Sequence, residues 1–223
     1  MPGQSSLSMY SRREFQLAGL MVLAIGVVWC SHSAIAAEKE MSGHEHHHHP
    51  APSTAENPSA IKRSETAYIL PALKLTRQDG AKVDFNKEIN DGRPVILNFI
   101  YTSCTAICPI SSQIFSQVHK QLEKEQSKVR MVSISIDPEY DTPSRLSAYA
   151  KKFGASSQWQ FYTGTLEASI AVQKAFDAYR GDKMNHLPLT LLRAEPGKPW
   201  VRLDGFASPE TVIREYQNLS KGA

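Results

Sequence analysis

The sequence predicts an α/β domain in which a central mixed sheet is flanked by helices, with a β-hairpin added on its N-terminal side. Three observations predict it. Residues 94–100 (PVILNFI) form a continuous apolar run of strand length, suited to burial on both faces, and 129–136 (VRMVSISI) read as a second buried strand. Between them lies a segment with helical spacing. Further on, two short strand patterns enclose Pro196-Gly197, the signature of a hairpin turn.

The elements follow in order. Residues 72–76 and 82–85 flank Arg77-Gln78-Asp79-Gly80, a turn between two short strands. After the strand at 94–100, residues 109–125 read as a helix, with Ile110, Ile114, Val118 and Leu122 recurring at helical spacing. His119 lies mid-helix among Gln and Lys residues and is expected on the solvated surface. Asp141-Thr142-Pro143 opens the next helix, with Asp or Thr as N-cap and Pro in the first turn. That helix carries Leu146, Tyr149 and Ala150 and ends near Phe153-Gly154. Residues 160–162 form a short strand and 166–179 a further helix. Strands at 189–192 and 200–203 make the second hairpin, and Ser208-Pro209-Glu210 starts the last helix. Strand, helix, strand, helix, hairpin and closing helix is the order of a thioredoxin-like fold, and right-handed crossovers leave few other arrangements.

The chain has 223 residues, enough for one domain of ordinary size and a targeting segment. Its 25 basic and 22 acidic residues give a net charge of +3, without the basic footprint of a nucleic-acid binder. Residues 1–36 read as a signal peptide. Arg12-Arg13 precedes an apolar run from Leu17 to Cys30, and Ala34-Ile35-Ala36 offers small residues for cleavage. The run is short against the roughly 20 residues of a permanent membrane helix. Cleavage after Ala36 is therefore expected, with an uncleaved membrane anchor as the alternative. The twin-arginine export signal and an ordinary secretory signal both fit. Either exports the chain, to the periplasm if the source is bacterial. Trp29 before Cys30 argues against lipidation, because a lipoprotein signal wants a small residue there.

Residues 37–63, rich in Pro, Ser, Ala and Glu, read as a flexible tether, and 64–223 as the folded domain. Within the tether, His44, His46, His47, His48 and His49 offer imidazoles that capture late first-row metals at low specificity.

Removal of the leader leaves Cys104 and Cys108, which in an exported protein form a structural disulfide, a redox pair or a metal site. They stand in Thr102-Ser103-Cys104-Thr105-Ala106-Ile107-Cys108-Pro109, where the first central strand passes into its helix. A helix N-terminus favours thiolate over thiol. The C-x-x-x-C spacing has one residue more than the usual redox motif, leaving room for an ion between two soft sulfurs. Thiolates suit Cu(I), and an added imidazole makes a site that also holds Cu(II). The folded part has two histidines, His119 and His186. His186, in a polar loop before the strand at 189, is the favoured third ligand, since that loop packs beside the cysteine-bearing helix end in this layout.

Asn98-Phe99-Ile100-Tyr101-Thr102-Ser103-Cys104 with Cys108-Pro109, then Ser135-Ile136-Asp137-Pro138-Glu139-Tyr140-Asp141-Thr142-Pro143, then 159–164 (WQFYTG) and His186 together resemble the Sco/SenC family of copper proteins over residues 68–219. The resemblance implies copper held by Cys104, Cys108 and His186. It also implies delivery of copper to the binuclear copper site of a respiratory oxidase, or reduction of that site's cysteines, with an oxidase subunit or another copper chaperone as partner. Asp137 matches the family's acidic position and is expected to orient a ligand or partner one contact away from the metal, or else to be a strand-end turn residue. Leu187-Pro188-Leu189-Thr190 departs from the family's Ser or Thr after the histidine. Pro188 resembles the proline that abuts the cysteines of thioredoxin-type reductases. A metallochaperone is thus the first reading. A thiol-disulfide oxidoreductase using Cys104 and Cys108 is the second. Peroxide reduction lacks its Thr and Arg pattern, and a structural disulfide leaves His186 idle.

Overall fold

A computed structural model describes residues 61–125 and 128–221. The signal peptide, Cys30, and the histidines from His44 to His49 lie outside the described residues, as does residue 60 and everything before it. The described chain folds as β1 (Lys62–Thr66), β2 (Lys74–Arg77), β3 (Lys82–Asp84), α1 (Phe85–Ile89), β4 (Val95–Ile100), α2 (Ile107–Lys124), β5 (Arg130–Ser135), α3 (Pro143–Lys152), β6 (Trp159–Thr163), α4 (Leu166–Ala175), β7 (Leu189–Arg193), β8 (Trp200–Asp204) and α5 (Pro209–Lys221). The strands form one mixed sheet in the order β1-β8-β7-β4-β5-β6-β2-β3. Pairs β4–β5 and β5–β6 are parallel; β7, β8, β1 and the β2–β3 hairpin join antiparallel. This is the thioredoxin-like sheet with extra strands, and the added hairpin sits at the edge beyond β6.

Every residue of β4 is buried because helices cover both faces of the sheet. On one face Phe115 of α2 packs against Trp159, and Ser112 of α2 is hydrogen-bonded to Tyr149 of α3 at 2.9 Å. On the other, Phe85 of α1 meets Tyr162 edge-on, and Phe176 packs between Phe99, Trp200 and Tyr68. One polar thread crosses the first layer. Trp159 Nε1 donates to Ser133 Oγ (2.9 Å), which donates to Asn98 Oδ1 (2.6 Å). The polar interruptions of the two central strands are thereby paired with each other, as burial requires.

Several boundaries differ from expectation for identifiable reasons. β1 begins inside the stretch read as tether; its sequence KRSET has no apolar alternation because it is an edge strand, paired only to β8. Phe85 ends no strand but starts α1, since the Asp84 carboxylate accepts the Lys87 N–H at 3.2 Å and caps the helix. α4 stops at Ala175 rather than 179 because Asp177 adopts φ 50°, a left-handed conformation that ends the helix.

In α2 the buried row is Cys108, Ser112, Phe115, His119 and Leu122, whereas Ile110 is 51% exposed. His119 is therefore not a surface residue. It lies four residues after Phe115 and three before Leu122, which outweighs its polar neighbours, and it is fully buried edge-on to Trp159. Its Nε2 accepts the Ser156 N–H at 3.1 Å, tying α2 to the loop before β6.

Burial holds the His119 imidazole below its ordinary value of 6.5, against a weaker opposing pull from Glu123. The folded state is thus the weaker proton binder, so stability is full above about pH 6.5 and falls as the pH drops through the window below it. His186 is shifted the same way by burial. We expect the urea midpoint to fall between about pH 7 and about pH 5, and His119→Gln to flatten that fall without abolishing it. An acid slope unchanged in His119→Gln would show that the buried imidazole does not drive it.

Candidate functional site

β4 delivers the chain to the edge of the parallel strands, where it turns sharply. The Cys104 N–H donates to the Tyr101 carbonyl at 3.2 Å, and α2 starts three residues later at Ile107. The N-cap, Ala106, has no side-chain acceptor for the first helical N–H groups. Cys104 supplies one instead. Its Sγ accepts the Cys108 N–H at 3.5 Å and a further bond from the Ala106 N–H. Cys108 Sγ in turn accepts the Tyr101 N–H at 3.5 Å. Both cysteines are free thiols; Cys104 is 8% exposed and Cys108 1%.

These surroundings separate the two sulfurs. Burial alone would raise the Cys104 thiol, but the N–H groups of Cys108 and Ala106 and the Tyr101 hydroxyl outweigh it, and the thiol falls below its ordinary value. Cys108 is deeper, and burial pushes its thiol well up. Burial, with Cys104 beside it, raises the Tyr101 hydroxyl to about 12, so it remains a donor at any ordinary pH.

The loop is clamped from the side by Asp141. Its fully buried carboxylate accepts the Thr102 N–H at 3.1–3.2 Å, the Thr102 hydroxyl, and the Ser135 hydroxyl at 2.6 Å. Sequence reading offered Asp141 or Thr142 as the α3 cap. Thr142 is the cap, accepting the Arg145 N–H at 3.3 Å, which frees Asp141 to join the cysteine loop to the end of β5.

Asp137 also stands at the end of β5. Its carboxylate pairs with Lys183 Nζ at 2.6 Å, gripping the segment that leads to His186. In that segment Asp182 Oδ1 accepts the Met184 N–H at 2.8 Å, opening a single 3₁₀ turn over Lys183–Asn185. His186 is buried with Nε2 3.0 Å from the Phe99 carbonyl. A carbonyl only accepts, so Nε2 carries the proton and Nδ1 keeps its lone pair. Burial lowers the imidazole's pKa against the opposing effect of that bond, keeping the ring in the neutral form that ligates metals. A cavity of about 260 Å³ beside His186 is lined by Ile136, Gln173, Arg180 and Lys183, and by neither cysteine.

Cys104 and Cys108 are thus brought together. Among the described residues, however, no group of three or more His, Cys, Asp or Glu side chains is gathered closely enough to hold a metal ion. His186 rests against Phe99, two residues upstream of Tyr101, while Tyr101 is met from the same loop by Met184, whose Sδ lies 3.7 Å from the hydroxyl, and by Lys183, whose Nζ lies 5.8 Å from the ring centroid. Pro188 lies at the start of β7, its carbonyl accepting the Gly205 N–H at 2.9 Å. Asp141, Tyr101 and Met184 were missed by sequence reading. Only Asp141 left a signal, as the spare member of an Asp-Thr-Pro capping sequence.

The profile of the SCO1/SenC family matches residues 61–221. A SCO1 protein homolog from Bacillus subtilis (strain 168) is 33% identical over 104 residues, which is 46% of this chain and 53% of that protein. The structure of BsSco, described as a member of the Sco family of cytochrome c oxidase assembly proteins, superposes with a TM-score of 0.60 at 26% identity, covering 71% of this chain and 96% of that one. Bradyrhizobium japonicum ScoI with copper bound gives 0.56 at 26% identity, covering 68% and 99%. The chain spans about half the length of the curated relatives it matches.

The contrast between the sulfurs is measurable. Iodoacetamide at neutral pH is expected to label Cys104 well before Cys108, with a rate profile centred below the ordinary thiol value of 9.0. Asp141→Asn, which leaves one buried donor without its acceptor, is expected to lower unfolding free energy by about 1–3 kcal/mol. Equal labelling of the two cysteines in peptide maps, or an unchanged urea midpoint in Asp141→Asn, would contradict this account of the loop.

Proposed function

The chain belongs to the SCO1/SenC family, and on that premise we propose that it is a copper metallochaperone that delivers copper to the binuclear copper site of a respiratory cytochrome oxidase during its assembly. The observation that carries the reading is the cysteine pair at the α2 N-terminus, one free sulfur in the loop entering the helix and one in its first turn. The donor chemistry fits copper. Two thiols suit Cu(I), and a neutral imidazole with Nδ1 free of hydrogen-bond duty adds the nitrogen that Cu(II) favours. Cys104, Cys108 and His186 are the proposed ligands. Bound copper would supply a soft centre transferable by exchange of these ligands.

The chain's own groups prepare that exchange. Cys104 gives up its proton readily because helix N–H groups already solvate its sulfur. Cys108 lies deeper and leaves the outer face of the pair to a partner's ligand. Asp137 acts one contact away, holding through Lys183 the loop that carries His186. Residues 1–36 export the chain to the periplasm, where it is soluble after cleavage or anchored by an uncleaved leader. The tether histidines His44, His46, His47, His48 and His49 serve as an accessory metal trap. Among the described residues no helix is long and apolar enough to cross a membrane. The recipient is an oxidase subunit carrying the binuclear site, or another copper chaperone.

The contrast between the two thiols favours a second reading, thiol-disulfide exchange with the cysteines of a copper-site partner. The Cys104 thiolate would attack a partner disulfide, forming a mixed disulfide and releasing one partner thiolate. Cys108 would then attack Cys104 Sγ, closing the Cys104–Cys108 disulfide and releasing the second partner thiol.

The test uses the full chain with the five tether histidines replaced by Ala, loaded with copper. Thiolate-to-Cu(II) absorption is expected, and is expected to be lost in both Cys104→Ser and His186→Ala. Absorption unchanged in His186→Ala would remove His186 from the ligand set. Reduction of a disulfide peptide by a chain that retains no copper would favour the oxidoreductase.

A further inference from the structure

The loop between α4 and β7 carries a sulfur as well as an imidazole. Met184 stands there 73% exposed, two residues before His186. Its backbone is fixed by the Asp182 carboxylate, which accepts its N–H at 2.8 Å, and its neighbour Lys183 is paired to Asp137 at 2.6 Å. Its Sδ accepts a hydrogen bond from the Tyr101 hydroxyl at 3.7 Å, and Tyr101 meets both cysteines through its backbone, its N–H donating to Cys108 Sγ at 3.5 Å and its carbonyl accepting the Cys104 N–H at 3.2 Å. One residue, Tyr101, therefore borders the thioether and both cysteines. His186 meanwhile has its Nε2 committed to the Phe99 carbonyl.

We propose that Met184 is a thioether ligand for Cu(I), completing a three-sulfur set with Cys104 and Cys108. This rests on the copper reading above and adds to it a ligand for the reduced ion. Thioether and thiolate sulfurs both favour Cu(I), while Cu(II) gains more from imidazole nitrogen, so the loop offers a different donor to each oxidation state. Cu(I) entering from solvent meets the exposed thioether first, then Cys104, and the deeper Cys108 last. Binding releases the thiol protons to solvent and leaves the oxidation state of the metal unchanged.

Met184→Leu preserves the volume of an exposed side chain and removes only the sulfur. The full chain with the tether histidines replaced by Ala is titrated with Cu(I) against a chromophoric Cu(I) chelator, and the loaded protein is examined by X-ray absorption at the copper edge. We expect Met184→Leu to weaken Cu(I) binding about 10-fold or more and to lose one sulfur scatterer, with the thiolate-to-Cu(II) absorption retained. Undiminished Cu(I) affinity and an unchanged sulfur shell in Met184→Leu, while Cys104→Ser weakens binding, would overturn the Met184 assignment and leave the copper reading standing. No weakening in either variant would overturn both.

Discussion

The cysteine loop depends on one buried carboxylate. Asp141 lies between the ends of the parallel strands β4 and β5 and takes hydrogen bonds from Thr102 on one side and Ser135 on the other. β4 pairs parallel with β5 and antiparallel with β7, so beyond its C-terminal end neighbouring connections diverge and leave an edge where side chains meet. A free loop there would move, and its sulfurs with it. The carboxylate fixes Thr102 two residues ahead of Cys104. Burial raises its pKa, partly offset by the hydroxyl and N–H donors that surround it. The ionised form is held by those donors alone, with no cation among its named partners, so their loss would leave a buried charge poorly solvated.

From that fixed point the two sulfurs acquire different characters without any difference in residue type. Cys104 occupies the acceptor position of a helix that lacks a capping side chain, and its sulfur takes over that work. Cys108, one turn further in, is part of the buried row of α2 with Ser112, Phe115 and His119. A metal site exploits the pair as an outer and an inner ligand, whereas disulfide exchange exploits it as an attacking and a resolving thiol. The local geometry serves both, and the choice rests on what the opposite loop adds.

Much of this was legible in the sequence. Continuous burial marks β4, Pro143 marks the start of α3, and Cys104 and Cys108 announce themselves by type and by position after a central strand. What escaped follows a physical pattern. β1 is a polar edge strand held by its pairing to β8 and by Arg63 on Glu215 of α5, so no hydrophobic period betrays it. His119 was misread because the row assigned through Ile110 is rotated from the true one, which Cys108, Phe115 and Leu122 define at seven-residue spacing. Asp141 and Tyr101 act through contacts 39 and 83 residues away in the chain, to Thr102 and Met184, and no local pattern encodes such distances.

The 182–186 loop combines two kinds of donor in a short span, and their unequal exposure has a chemical consequence. His186 is buried with one nitrogen committed to the backbone, which couples the position of its ring to that of β4 through Phe99. Met184 is exposed and held by a weak hydroxyl–sulfur contact that is easily exchanged. A carrier must bind its cargo firmly enough to exclude solvent and release it to a partner without a large barrier. In the proposed copper site an exposed thioether would meet the second demand, because a partner's sulfur could replace it while the cysteines still held the ion. There an imidazole tied to the core would meet the first, because the Nε2–Phe99 hydrogen bond holds the ring in one orientation with Nδ1 free. The two residues are separated only by Asn185, so both donors of the proposed site ride on one short segment whose position Asp137 and Phe99 set.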